Sequence, residues 1–408
     1  MAAGKGLAAA AAIGLALRLA FGLLYWVHEP LTRDEREYLA LARSLAAGRG
    51  LAYDEAILDS PVQPFGRAPG YPAFLALAGG GRAATDDVPS SVKIAQSLVG
   101  ACGVLIVGLL AGQWAGARGA TIAAWLAAIH PLLVATASRA FSEALFWPIG
   151  LGAAWLVTAA SRAGGRRAAV LATLAGVLTG LATLVRPATI IFLGLAALWW
   201  LWRRSFTRVV ALALGAALVI APWTLRASER ASRFVLVASE GGVTFWTGNH
   251  PLAVGDGDLA ANPQLKIASR ALRNAHPDLT EEQMEPIYYR EALAWMRAHP
   301  IDWLVLEARK VWYLAAPVGP SYRLHSWRYF IASAGTYLLL LPMAVAGAWR
   351  LGATRGQLPG LWLLLAAAIV TCLIFFPQER FRIPVIDPVL IICAAGLWAT
   401  GREAASPA

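Results

Sequence analysis

Charge is what this chain has least of. Of its 408 residues only 14% are Asp, Glu, Lys or Arg, against about 25% in soluble globular domains. Apolar residues make up 58%, above the roughly 45–50% of that class. Together these values argue against a soluble enzyme, a disordered chain and a nucleic-acid binder. Cysteine is scarce too. Cys102, Cys372 and Cys393 each sit in an apolar run, remote from one another, so neither a disulfide framework nor a thiolate metal site is expected. The six histidines form no H-E-x-x-H pair, which disfavours a metal hydrolase. Rossmann and P-loop fingerprints are missing, and so is any solenoid repeat or inverted half-repeat.

What the chain does have is long uncharged runs. Residues 94–117, 119–138, 144–161, 168–185, 329–349 and 356–378 carry no charge. Each is about 18 residues or longer, enough to cross a hydrocarbon core of ~30 Å at ~1.5 Å per residue. Four weaker runs join them: 6–27, broken by Arg18; 187–202 and 209–225, which are short; and 383–400, which contains Asp387. We expect ten spans. The 6–27 run is too long for a signal peptide, and no small-residue cleavage pattern follows it.

Arginine placement supports the count. With Lys5 in the cytoplasm, the cytoplasmic segments carry Arg118; Arg162, Arg166 and Arg167; Arg203, Arg204 and Arg208; Arg350 and Arg355; and Arg402. The short outer loops carry only Arg139, Arg186, Arg380 and Arg382. Much of the net charge of +11 is therefore a topology signal with both termini inside. Two polar segments, 28–91 and 226–328, fall outside. The expected architecture is an all-α polytopic membrane protein in three parts: a module over 1–225, whose first outer loop is 28–91; an extracytoplasmic segment over 226–328; and C-terminal spans over 329–408.

Residues 31–50 read LTRDEREYLALARSLAAGRG. Thr32 and Glu35 predict a capping box, with the helix running to about Ala47 and Gly48 ending it. Tyr38, Leu41, Ala42 and Leu45 share one face while Arg36, Glu37 and Arg43 point elsewhere, as in a helix lying in the membrane interface. Glu35 is needed for the cap and Asp34 is not, so Asp34 is free to face a pocket. Asp54, Glu55 and Asp59 read as solvated loop charges. Residues 64–77, PFGRAPGYPAFLAL, predict a defined turn carrying Arg67 before a second apolar helix. Arg67 is either a snorkelling arginine or a cation aimed at a phosphate. Arg18, in mid-span, calls for either a structural partner or a substrate role.

The pattern DExxYLxLAxxLxxGxG followed by R-x-P-G-Y-P resembles the family 39-type, polyprenyl-phosphate-dependent glycosyltransferases of the GT-C class. Their relatives are the protein O-mannosyltransferases and the enzyme that adds aminoarabinose to lipid A. SRAFSEALFWP (138–148), GLATLVRPATIIFL (180–193), APWTLR (221–226), GGVTFWTGNHP (241–251) and QERFRIPVIDP (378–388) resemble further segments of that family in order. The chain lacks the large soluble domain of the aminoarabinose and eukaryotic mannosyl enzymes, so the acceptor stays open.

The resemblance implies a GT-C helical bundle and transfer of one sugar from a polyprenyl phosphate, with inversion. It implies a base at Asp34, with Glu35 as second choice. Arg67, Arg186, Arg380 and Arg382 are the candidates for the donor phosphate, and Glu143 and Tyr71 for substrate contacts. Glu143 alternatively serves as a helix N-terminal charge or helps hold a divalent cation. No metal ligand set and no other cofactor is expected. The partners would be the lipid donor, the membrane, and an acceptor lipid, glycan or protein, with no nucleic acid. The site would lie extracytoplasmically on a bacterial inner membrane. Trp246, Gly248 and Asn249 are candidate sugar contacts or ordinary packing. Asp387 before Pro388 predicts a cap for the last span, and residues 303–313 predict an interfacial helix. Two other readings remain: a lipid or solute transporter without catalysis, and a ligase or polymerase using diphosphate-linked glycans.

Overall fold

Small residues and one left-handed glycine determine how the first helices pack. The computed structural model describes residues 2–53, 66–82, 86–352 and 358–399. Helix α1 (Ala2–Ala20), extended by a π-turn at Phe21–Tyr25, is followed by the short α2 (Arg33–Ala46) and α3 (Gly70–Leu77) and the long α4 (Ser90–Ile129). α4 is not one rod. Gly116 adopts φ 72°, ψ −173°, a conformation open to glycine at little cost. A Cβ on Gly112 would lie 3.1 Å from Ala120 Cβ, although in a straight helix the two residues would be about 12 Å apart. The chain therefore doubles back at Gly116. α1 packs on both rods: its Gly6 faces Thr121 and its Gly14 faces Ala128, while Gly22 faces Lys93. It runs parallel to the second rod and antiparallel to the first.

The second rod breaks at His130–Pro131. Pro131 has no N–H to give the Ala127 carbonyl. Arg18, fully buried, donates Nη2 to Ala127 O (3.4 Å), and Nη1 to Gly14 O (2.9 Å) and Ala128 O (3.5 Å). The intramembrane arginine is thus held by carbonyls at a helix break.

The bundle continues through α5 (Pro131–Ala135), α6 (Glu143–Arg162), α7 (Gly165–Val185), α8 (Ile190–Trp202) and α9 (Phe206–Ala231). α7 and α9 touch backbone to backbone, Gly176 against the Leu212 carbonyl and Gly215 against the Thr173 carbonyl, as small residues allow in membranes. Next come α10 (Gly241–Gly248), α11 (Pro263–Asn274), α12 (Glu281–Ala298) and α13 (Pro300–Ala315). The last elements are α14 (Trp327–Phe330), α15 (Thr336–Arg350), α16 (Pro359–Ile374), α17 (Glu379–Arg382) and α18 (Ile386–Ala395). The described residues form helices and no strands, the expected all-α class. Among the described residues six helices are long and apolar enough to cross a bilayer, accompanied by the shorter apolar Pro187–Trp202, Pro359–Ile374 and Ile386–Trp398.

At the Gly116 end, arginines close helix C-termini. Arg208 donates to Ala160 O (2.9 Å) and Ala163 O (2.6 Å), and Arg350 to Leu397 O (2.7 Å). At the opposite end, α10 to α12 enclose a small core of their own, with Val243, Trp246, Leu265, Met284, Tyr288 and Ala292. That unit starts later than residue 226, because α9 runs on to Ala231. With α13 it is fastened to the last turn of α16: Lys310 Nζ donates to Leu373 O (2.9 Å) and Asn249 Nδ2 to Ile374 O (2.9 Å). α13 leaves Ile301, Leu304, Val305 and Trp312 exposed, the bare apolar face expected of an interfacial helix.

Candidate active site

The site is built from the start of α2. Thr32 Oγ1 accepts from Glu35 N (3.4 Å), and the Glu35 carboxylate accepts from Thr32 N (2.9 Å) and Oγ1 (2.8 Å). The box fixes the first turn, and Gly48, at φ 74°, follows its end. The other Glu35 oxygen accepts from Ala140 N (3.1 Å). Glu35 is buried with both oxygens engaged, so it fastens α2 to the segment before α6. Asp34, one residue earlier, points about 100° away and stays partly open.

Asp34 sits between two guanidinium groups from distant parts of the chain. Arg67 Nη2 donates to its Oδ1 (2.8 Å) and Arg380 Nη1 to its Oδ2 (2.8 Å). Arg67 is in turn gripped by Glu37, through Nε (2.9 Å) and Nη2 (2.6 Å), and lies 4.7 Å from the centre of the Tyr38 ring. Arg380 reaches towards Glu143 (4.0 Å), and Glu143 pairs with Arg186 (2.9 Å). Arg186 also donates to Ser142 Oγ (3.2 Å). Phe381 lies under both Arg186 (5.0 Å) and Arg380 (5.3 Å). The result is an alternating relay, Glu37–Arg67–Asp34–Arg380–Glu143–Arg186. Its members come from α2, the turn before α3, α6, the end of α7 and α17, all at the end of the bundle remote from Gly116.

One member of the relay, Glu37, and one acid beside it, Glu240, lie outside the sequence expectation. The sequence pattern puts Glu37 among the outward charges, whereas the structure buries it on the Asp34 face at i+3. That spacing was the available signal. Glu240 comes from the segment before α10 and lies 3.6 Å from Arg67. Ser239 N donates to Gly66 O (3.0 Å) and the Ser239 side-chain Oγ accepts from Gly66 N (3.1 Å), which brings Glu240 there. No local pattern marks it.

Other candidates lie elsewhere. Tyr71 is fully buried, donates to Gln96 Oε1 (2.7 Å) and meets the Tyr38 ring edge-on at 4.9 Å, so it supports the relay from behind. Arg382 points away from Asp34: it pairs with Asp387 (2.8 Å) and donates to Ser333 O (3.0 Å). Asp387 is accordingly not the cap of the last helix. That position is Val385, and the Asp387 carboxylate is buried against Arg382. Trp246 belongs to the small core, Gly248 abuts the Phe375 carbonyl, and Asn249 accepts from Lys310 Nζ (3.0 Å). All three are engaged in packing. Asp54, Glu55, Asp59, Arg355 and Arg402 lie outside the described residues.

Burial alone would raise the Asp34 carboxyl, but the charges and hydrogen bonds of Arg67 and Arg380 outweigh it. They hold the group well below the usual carboxylate range. Burial pushes Glu240 up, with Arg67 opposing. Asp34 is thus ionised and weakly basic while both arginines face it. Among the described residues no three His, Cys, Asp or Glu side chains converge as a metal site. Between Asp34 and Glu143, where a bridging cation would sit, stands the Arg380 guanidinium. The donor set does not fit a metal there.

Among solved structures the chain is similar to the oligosaccharyltransferase AglB of Archaeoglobus fulgidus. One structure of that enzyme holds an inhibitory peptide and a dolichol-phosphate; it aligns with TM-score 0.56 and 16% identity over 97% of this chain and 50% of that one. Another, holding Zn and sulfate, aligns with TM-score 0.56 and 15% identity over 96% and 48%. This chain spans about half the length of the enzyme it matches. ArnT from Cupriavidus metallidurans aligns over 98% of this chain and 78% of its own at TM-score 0.45 and 15% identity. No family model and no curated protein matches the sequence. At such identity the oligosaccharyltransferase likeness establishes the fold, the GT-C membrane bundle that the sequence motifs implied.

Proposed function

We propose that the chain is an inverting membrane glycosyltransferase that moves a single sugar from a polyprenyl-phosphate donor to an acceptor hydroxyl. The observation that supports this best is Asp34, one accessible carboxylate held between arginines 33 and 346 residues away in sequence. In this reading the chain crosses a bacterial inner membrane ten times, with Lys5 and the Arg208 and Arg350 caps inside and the relay outside. The donor's tail stays in lipid and its phosphate meets Arg67, Arg380 and Arg186.

The chemistry is a single displacement. The acceptor oxygen attacks the anomeric carbon, the bond from that carbon to the phosphate oxygen breaks, and the electron pair leaves with the phosphate. The acceptor proton passes to Asp34 Oδ. The arginines contribute twice. They neutralise the phosphate as negative charge builds on it. In turning towards it they also share their charge away from Asp34, whose proton affinity rises as the acceptor arrives. Glu37 and the Tyr38 ring keep Arg67 in place during that exchange.

The test is purified protein incubated with a polyprenyl-phosphate sugar, with mass spectrometry of the lipid and of any lipid that co-purifies. Release of the free isoprenoid monophosphate, with the sugar appearing on the acceptor in opposite anomeric configuration, is expected. A donor that stays intact while being moved between leaflets would make the chain a transporter.

A further inference from the structure

Behind Glu240 lies an open groove of about 620 Å³, a volume typical of ligand sites. The segment just after α9 gives one wall, with Arg233 and Phe234. One stripe of α12 gives the other, with Tyr289, Arg290, Leu293 and Arg297. These residues follow helical spacing on one face, while Met284, Tyr288 and Ala292 bury the other. The groove adjoins the relay through one residue. A Cβ on Gly241 would lie 2.8 Å from Tyr289 Oη and 3.2 Å from Glu285 Oε1, and Gly241 follows Glu240.

The lining is rich in unneutralised positive charge. Arg233 is matched by Glu285 at 3.0 Å. Arg290 and Arg297 make no ion pair among the described residues. Seven residues apart, they stand about 10 Å apart along the helix. Leu293 and Ala294 lie between them, Tyr289 lies beside Arg290, and the exposed Phe234 lines the groove with them. Guanidinium groups suit carboxylate and phosphate, and aromatic faces suit the apolar faces of sugar rings. A lipid chain would call for continuous apolar lining, whereas here apolar and charged residues alternate along the stripe.

We propose that this groove binds the acceptor, and that the acceptor is an anionic glycan carrying carboxylate or phosphate groups about 10 Å apart. The acceptor role rests on the transferase reading; the binding of an anionic saccharide does not.

The full chain in phosphatidylcholine nanodiscs is titrated with hexagalacturonate and, separately, with maltohexaose. The acidic oligosaccharide should bind, and the neutral one should not. The double variant Arg290→Ser/Arg297→Ser, altered only at exposed positions, should weaken binding about tenfold or more. Equal binding of both sugars, an unaffected double variant, or no binding of the acidic sugar overturns the proposal. So does loss of acidic-sugar binding when phosphatidylglycerol is added to the nanodiscs, which would assign the groove to lipid headgroups. In turnover the double variant should raise the acceptor KM and leave the donor KM unchanged. Donor cleavage without acidic-sugar binding refutes the groove alone. Acidic-sugar binding without donor cleavage refutes the transferase reading and, with it, the acceptor role.

Discussion

A single residue, Phe381, separates Arg380 from Arg382 on α17, yet Arg380 keeps 32% of its side chain open and reaches Asp34 and Glu143, while Arg382 keeps 7% and reaches Asp387. Arg382 holds Asp387, which also faces His130 Nε2 at 3.9 Å, together with a carbonyl of the π-turn before α15 and the Tyr337 ring at 4.5 Å. It locks α15 to α18. Arg380 is shared between two acids and rests on Phe141 and Phe381, so it can exchange a carboxylate for a phosphate without losing its packing. The lesson is that an arginine with several partial claims and an open face is free to meet a substrate, the role proposed for Arg380. One buried among fixed partners, as Arg382 is, acts as a structural fastener, and the carbonyl-capping Arg208 and Arg350 do the same at the far end.

The sharpest way to break this comparison is to remove each arginine in turn. Arg382→Ala leaves Asp387 buried and uncompensated, and should lower stability by about 3–5 kcal/mol in thermal or denaturant unfolding. Arg382→Met with Asp387→Leu should recover most of that loss. A wild-type melting curve for Arg382→Ala would refute the lock. Arg380→Ala should leave the melt within about 1 kcal/mol of wild type and cut kcat by roughly 10²–10³, with partial rescue by Arg380→Lys. If it unfolds as Arg382→Ala does, the distinction collapses.

A smaller effect should appear in the pH profile. The folded pKa of Asp34 is depressed below its unfolded value of about 3.9. Its contribution to stability is therefore complete above that value and is lost as pH falls through the folded one. In kcat/KM, which reports the free enzyme, the acid limb due to Asp34 should lie below the ordinary carboxylate range. The limb in kcat should lie higher, because the bound phosphate draws off arginine charge. Arg380→Ala should move the kcat/KM limb upward. A wild-type limb at the ordinary value that Arg380→Ala does not move would contradict the clamp.

The sequence made the α2 cap and the different directions of Glu35 and Asp34 legible, and it singled out the arginines of the relay, because each rests on a local signal. A capping box assigns Glu35, and an arginine outside the positive fringe stands out against topology. Pairings across the fold were not legible. Glu37 looked solvated until α3 and its preceding turn covered it. Glu240 reaches the relay only through the Ser239–Gly66 pairing. Asp387 had the local form of a cap, and only the turn between α17 and α18 shows that Arg382 claims it. The reversal at Gly116 agrees with the division of the apolar run at 117–119, but nothing short of its positive φ identifies which glycine makes the turn.

The account stands on Asp34 as proton acceptor, and single-turnover donor cleavage by Asp34→Asn at saturating donor and acceptor tests it most directly. The account predicts that the variant is folded, binds the donor within about threefold of wild type, and loses roughly 10²–10⁴ in the chemical step. Cleavage at the wild-type rate would contradict it.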